Sequence, residues 1–218
     1  MSASSLLRIG ILISGAGSNM LSIAEAIRER EIAAELALVA TDKPECIGLM
    51  RAASLGIPTF VIPKAKVETR ESYDARLRVT LESQSIELVV LAGYMRILSN
   101  AFVNAFSGRL INIHPSLLPN HKGLHTHRRV LAAGDTVHGA SVHYVTPELD
   151  GGPVILQASF NVRTSDDEKS LATRTQIYEH KIYPKVVKWI ASGRLKYIHK
   201  QAQLDGHILT QPIIEYFT

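Results

Sequence analysis

The stretch Asn112-Ile113-His114-Pro115-Ser116-Leu117-Leu118-Pro119 holds the side chains best suited to chemistry. Asn112 and His114 lie two apart on a short apolar run, so on a strand they project to one face. An amide beside an imidazole fits acyl transfer. When an amine attacks an acyl carbon, negative charge grows on the carbonyl oxygen and positive charge on the nitrogen. Asn112 can donate a hydrogen bond to that oxygen. His114 can donate as well and, being an imidazole, can carry the proton. Asp150, in Leu149-Asp150-Gly151-Gly152-Pro153, is the natural third member. A carboxylate beside a histidine favours its charged form as an acid, and the glycines permit the bend that brings it back. The plain alternatives are an ordinary turn for Asp-Gly-Gly-Pro and a hydrogen-bonded surface group for the histidine.

A second feature is Ser14-Gly15-Ala16-Gly17-Ser18-Asn19, between an apolar strand and a helix. Glycines let the chain turn tightly and approach a ligand, and the N–H groups of a helix start attract an anion. The loop is neither a Walker loop nor a full Gly-x-Gly-x-x-Gly, and a simple strand-to-helix turn capped by Ser18 or Asn19 is the alternative. His121, His125 and His127 invite a metal reading, but no His-Glu-x-x-His and no cysteine pair accompanies them, so no metal is expected. The single cysteine, Cys46, reads as a helix-packing residue.

The elements that must position these residues follow from the hydrophobic pattern. Leu7–Ile13 reads as a buried strand, followed by a helix with Met20, Ile23, Ala24 and Ile27 on one face. Leu36–Ala40, Thr59–Ile62, Leu88–Leu91 and Leu110–His114 read as further strands, with helices at Ile47–Ser54 and Arg70–Ser83. That alternation predicts an α/β fold, a doubly wound, mostly parallel sheet flanked by helices. Val137–Val145 and Val154–Val162 have no helix between them and predict an antiparallel addition around the Asp150 turn. A long helix from Ser170 to Ser192 follows, interrupted at Pro184. Leu118-Pro119 reads as a candidate cis bond. With no linker in view, residues 1–218 read as a single domain.

Composition agrees with an ordinary globular chain: 218 residues, 46% hydrophobic, 20% charged and a formal charge of +4. One cysteine excludes an intramolecular disulfide framework. Met1–Leu7 lacks the basic flank and apolar core of a secretory signal, and no apolar run approaches a membrane span, so a cytoplasmic protein with no membrane partner is expected. The modest positive charge suits an anionic small substrate. No long basic run or aromatic-basic stripe points to nucleic acid.

Taken together, the motifs resemble those of the folate-dependent phosphoribosylglycinamide formyltransferases of purine synthesis, from Ile9 to about Leu209. The segments that carry the resemblance are Ile13-Ser14-Gly15-Ala16-Gly17-Ser18-Asn19, Leu91-Ala92-Gly93-Tyr94-Met95-Arg96-Ile97-Leu98 and the Asn112–Pro119 run. Gly123-Leu124-His125-Thr126-His127, His138-Gly139-Ala140-Ser141-Val142-His143 and Leu149–Ile155 complete the set.

The resemblance implies a formyltransferase that uses 10-formyltetrahydrofolate as co-substrate, glycinamide ribonucleotide as acceptor and no metal, working as a monomer or homodimer. Asn112, His114 and Asp150 would be catalytic. Gly17, Ser18 and Asn19 would hold the substrate phosphate, and Gln176 and Glu179 would meet the ribonucleotide. Arg70, Met95, Arg96, Ile97, Leu98, Asn112, Thr146, Pro147, Glu148, Leu149 and Asp150 would meet the reduced folate. Absent the resemblance, Gln176 and Glu179 read as a solvated helix face, and Met95, Ile97 and Leu98 as core. Two departures stand out: Ala16 replaces a usual polar residue of the loop, and Lys122 stands where a proline often precedes Gly-Leu-His. The rival readings are a methionyl-tRNA formyltransferase, which would need a further C-terminal domain, and a formyltetrahydrofolate hydrolase, which would need an N-terminal regulatory domain. A non-catalytic folate- or nucleotide-binding module is the reading from another class.

Overall fold

The computed structural model describes residues 6–218, so most of the Met1–Leu7 stretch lies outside the described residues. The chain forms two compact units, one running to Ile111 and one from Asn112 to Thr218.

In the first unit, β1 (Leu7–Ile13), β2 (Ala34–Thr41), β3 (Thr59–Val61) and β4 (Leu88–Leu91) form a parallel sheet in the order β4-β1-β2-β3. A centre made of such strands demands continuous apolar runs rather than alternation. In β1, Ile9, Ile11, Leu12 and Ile13 are all fully buried, each contributing about 1.5–3 kcal/mol relative to exposure. Parallel neighbours need crossovers, and the helices supply them: α1 (Ser18–Arg28), α2 (Ile47–Ser54) and α3 (Arg70–Ser83). α1 packs on β2 and α2, burying Met20, Ile23 and Ala24. α3 buries Tyr73, Leu77 and Leu81 and is capped by the Thr69 hydroxyl, which accepts from the Ser72 N–H at 3.1 Å. A short helix absent from the sequence reading, α4 (Asn100–Ala105), packs against α3 and is capped by Ser99. At the start of α1 the capping expectation fails. Gly17, not Ser18 or Asn19, is the N-cap, in left-handed backbone at φ 72°, and has no side chain to offer the helix.

β5 (Leu110–His114) begins in the first unit and ends in the second. In the second unit, β6 (Val137–Tyr144) and β7 (Val154–Asn161) form the expected antiparallel hairpin, and β11 (Ile213–Phe217) runs parallel to β7 on its other side. β8 (Leu195–Ile198), β9 (Gln201–Leu204) and β10 (His207–Ile208) make a small antiparallel sheet. These four C-terminal strands and α5 (Thr126–Ala133) were not legible in the sequence. α6 (Glu168–Ala191) covers β6 and β7, burying Leu171, Tyr178, Ile182, Tyr183, Val186 and Val187. It starts two residues earlier than expected because Asp167 and Ser170 cap reciprocally, each side chain bonding the other's backbone N–H. It also runs unbroken past Pro184; burial of the surrounding turns outweighs the one hydrogen bond that proline removes. The Leu118-Pro119 peptide is cis.

Candidate active site

The last three residues of β5 supply the centre of the site. His114 is buried, and its Nε2 lies 3.0 Å from the His121 carbonyl oxygen. A carbonyl only accepts, so Nε2 carries a proton and Nδ1 is the atom left to gain or lose one. Nδ1 lies 3.5 Å from Oδ2 of Asp150, with side-chain exposures of 7% for the histidine and 9% for the aspartate. The Asp150 oxygen is itself held by the Gly123 N–H at 2.8 Å. Bringing the carboxylate there needs an unusual turn. Asp150 adopts left-handed backbone at φ 47°, a strained conformation for a residue with a Cβ. Two residues on, a side chain at Gly152 would place its Cβ 1.9 Å from the Tyr144 carbonyl oxygen, so only glycine closes the turn.

Asn112 is oriented by a residue to which the sequence reading gave no role. On β6, the buried His143 donates from Nδ1 to the Tyr144 carbonyl at 2.9 Å. Burial pushes its pKa down to about 4, so at neutral pH its Nε2 is bare. Asn112 Nδ2 donates to that nitrogen at 3.2 Å. The amide is thereby fixed with its nitrogen towards His143, and one N–H remains for a ligand. A pattern signal existed: Ser141 and His143 alternate on a strand as Asn112 and His114 do. Ser141 braces the intervening loop, accepting from the Leu118 N–H at 3.0 Å and donating to the Ser116 carbonyl at 2.6 Å.

The other histidines are accounted for separately. His121 bonds Asp135 through Nε2 at 2.6 Å, His125 is the N-cap of α5, and His127 Nδ1 meets His138 Nε2 at 3.0 Å. Among the described residues no group of three or more His, Cys, Asp or Glu could hold a metal ion.

In the first unit the glycine loop is built against α2. The Gly15 carbonyl accepts from the Gly48 N–H and from the Cys46 thiol, both at 3.0 Å, and the Ala16 carbonyl accepts from Arg51 at 3.0 Å. Cys46 is buried and is the N-cap of α2. A Cβ at Gly17 would lie 2.9 Å from the Gly48 Cα. Ser14 joins this loop to the segment after β4: its hydroxyl donates to Asp42 at 3.0 Å and accepts from the Met95 N–H at 3.0 Å, while Arg96 faces Asp42 at 3.7 Å. In that segment Met95 and Ile97 are 64% and 59% exposed, so they are not core; Leu98 is buried. Arg70, the first residue of α3, is exposed. In the second unit Thr146 is half-buried and Pro147, Glu148 and Leu149 are exposed. On α6 Gln176 is exposed, but Glu179 is buried, which a purely solvated face would not produce.

The site thus joins an oriented amide to a buried imidazole–carboxylate pair on an α/β fold. The formyl transferase family model matches residues 7–187, and the chain belongs to that family. It is 48% identical over 203 residues to the phosphoribosylglycinamide formyltransferase of Escherichia coli (strain K12), covering 93% of this chain and 96% of that one. It is 40% identical over 189 residues to the human trifunctional purine biosynthetic protein adenosine-3, covering 87% of this chain and 19% of that protein. Among solved structures, the phosphoribosylglycinamide formyltransferase of Coxiella burnetii superposes with a TM-score of 0.90 at 45% identity, covering 95% of this chain and 99% of that one.

Proposed function

We propose that this chain transfers the formyl group of 10-formyltetrahydrofolate to the amine of 5-phosphoribosylglycinamide, a step of de novo purine biosynthesis. The observation that carries the reading is the buried His114–Asp150 pair, 3.5 Å apart, next to the oriented Asn112 amide. The amine lone pair attacks the formyl carbon and the carbonyl π electrons move onto oxygen. The remaining Asn112 N–H donates to that oxyanion. His114 Nδ1 accepts the proton lost by the amine, with the Asp150 carboxylate stabilising the resulting imidazolium. The proton passes on to N10 as the carbon–N10 bond breaks, and tetrahydrofolate leaves. Because Nε2 is engaged by the His121 carbonyl and Nδ1 faces Asp150, proton relay suits His114 better than oxyanion donation, which falls to Asn112.

Gly17, Ser18 and Asn19 hold the substrate phosphate. The start of α1, whose N-cap is a glycine in left-handed backbone, supports this. Gln176 and Glu179 meet the ribose and glycinamide portions. Arg70, Met95, Arg96, Ile97 and Leu98, together with Asn112 and Thr146 to Asp150, meet the folate; the exposed apolar faces of Met95 and Ile97 suit a planar ring. The family match running through Ile111 without a break supports a single functional domain over 1–218. Among the described residues no helix is long and apolar enough to cross a membrane. The protein acts in the cytoplasm on small molecules, as a monomer or homodimer, without metal or nucleic acid.

Purified protein given both substrates, with each omitted in turn, tests this. Formylated glycinamide ribonucleotide and tetrahydrofolate should form in equal amounts only when both are present. Folate deformylation without the amine would mark a hydrolase instead, and binding of both without turnover a non-catalytic module.

A further inference from the structure

The reacting pair is held by main-chain atoms of one short segment. His121 supplies the carbonyl that fixes the His114 proton on Nε2, and Gly123, two residues later, supplies the N–H that holds Asp150. This segment is strained, with His121 at φ 54°, a conformation that persists for such a residue only when its surroundings impose it. Beyond the Ser116 hydroxyl, which donates to the Asn120 carbonyl at 2.6 Å and so holds the segment at its start, three contacts could impose it. Arg129 donates to the Lys122 carbonyl at 2.6 Å. Lys122 pairs with Glu148 at 2.8 Å, but the glutamate side chain is 71% exposed, and such a pair holds little. The third is the His121 imidazole, which meets Asp135 at 2.6 Å with the histidine side chain only 16% exposed. It is anchored at the very residue whose carbonyl His114 uses.

We propose that His121 and Asp135 are a positioning pair: their side-chain bond pins the His121 carbonyl and so sets which nitrogen of His114 faces Asp150. Asp135 follows the C-cap of α5, Gly134, and its N–H bonds the Val130 carbonyl at 3.2 Å. The pair therefore ties the catalytic loop to a helix end. Neither residue carries a proton to the substrate. The inference rests on the reading of His114 as the proton relay.

The test uses Asp135→Ala, Asp135→Asn and His121→Ala in the full-length protein, with kcat, both KM values and the ¹⁵N shifts of the His114 ring. Misplacing a reacting group by a fraction of an ångström to one ångström costs about ten- to a hundredfold. Asp135→Ala and His121→Ala should each lower kcat by at least about tenfold, with both KM values within about twofold. The double variant should be no slower than either single one, since the two side chains make one bond. Asp135→Asn keeps an oxygen acceptor for His121 and should restore most of the rate. In the alanine variants the His114 shifts should move from a single Nε2–H form to a mixture. Unchanged shifts in a folded alanine variant overturn the pair's positioning role. Altered shifts with unchanged kcat would uphold it and refute instead the assignment of His114 as relay. If Asp135→Ala does not fold, His121→Ala decides alone.

Discussion

The substitution Asp150→Asn removes one charge and almost no volume. Its carboxylate faces Nδ1 of His114 at 3.5 Å, with both side chains more than nine-tenths buried. Opposite charges about 4 Å apart at an effective dielectric near 20 attract by about 4 kcal/mol. The attraction acts on the imidazolium that proton transfer requires, so its loss falls on the barrier rather than on binding. At about 1.4 kcal/mol per decade, kcat should drop roughly a thousandfold. A second effect acts in the same direction. The new amide keeps its oxygen on the Gly123 N–H, in the position that faces Nδ1, which turns its own N–H towards Nε2 of His143, 3.8 Å from the other oxygen, where it competes with the Asn112 amide for that acceptor. Initial rates with both substrates varied, together with a thermal melt, give the answer. KM values should stay within about threefold and the melting temperature near the parent's. A folded variant whose kcat lies within about fivefold of the parent would show that the carboxylate does not act on the transition state.

Gly17→Ala places a Cβ against the Gly48 Cα in left-handed backbone; the KM for the phosphorylated amine should rise about tenfold while that for the folate stays put, and equal changes in both would argue against a phosphate site there. His143→Phe keeps the bulk but leaves the Asn112 N–H without its acceptor; kcat should fall about tenfold or more, from an unsatisfied group costing about 1–3 kcal/mol, and an unaltered kcat would mean the amide is held otherwise. The third concerns acid. Burial lowers the pKa of His138 to about 3 and of His143 to about 4, against about 6.5 in an unfolded chain. Between pH 6.5 and 4 the unfolded chain binds protons that the folded one refuses, so stability is full above that window and is lost as pH falls through it. The melting temperature should drop steeply below pH 6.5, and His138→Gln should flatten that drop; a flat profile from pH 7 to 4.5 would contradict the assignment.

The first unit was largely legible because its strands announce themselves: Ile9–Ile13 in β1 and Leu88–Leu91 are buried runs without a polar side chain, which only a covered strand can use. The helix at Arg70–Ser83 was found to the residue, since its cap and polarity are both local. What failed depends on distant partners. Gly17 caps α1 because α2 presses on it from some thirty residues away, which no local preference for Ser or Asn reveals. The strands β8–β11 are short and mixed in polarity, and Ile213–Phe217 is a strand because β7 lies beside it. In the site, Asn112, His114 and Asp150 were candidates by type and spacing, with plain alternatives beside them, and His114 and Asp150 do lie 3.5 Å apart. Their supports were not: the His121 carbonyl and the Gly123 N–H act through the main chain, which every residue has, and His143 matters through the acceptor that its buried, neutral ring presents.

The contact between Gly17 and α2 also bears on how tightly the proposed phosphate site can hold its ligand. A Cβ at Gly48 would sit 2.7 Å from the Ile13 side chain, 2.9 Å from the Gly15 carbonyl oxygen and 3.0 Å from the Gly17 Cα, so the two stretches pack too closely for any side chain at position 48. A loop wedged in this way has little freedom left to surrender when a ligand arrives. Affinity that a supple loop would spend on becoming ordered is kept, and the narrow seam between two glycines, with the Arg51 and Cys46 bonds to the loop carbonyls, makes the proposed phosphate cradle stiff in advance.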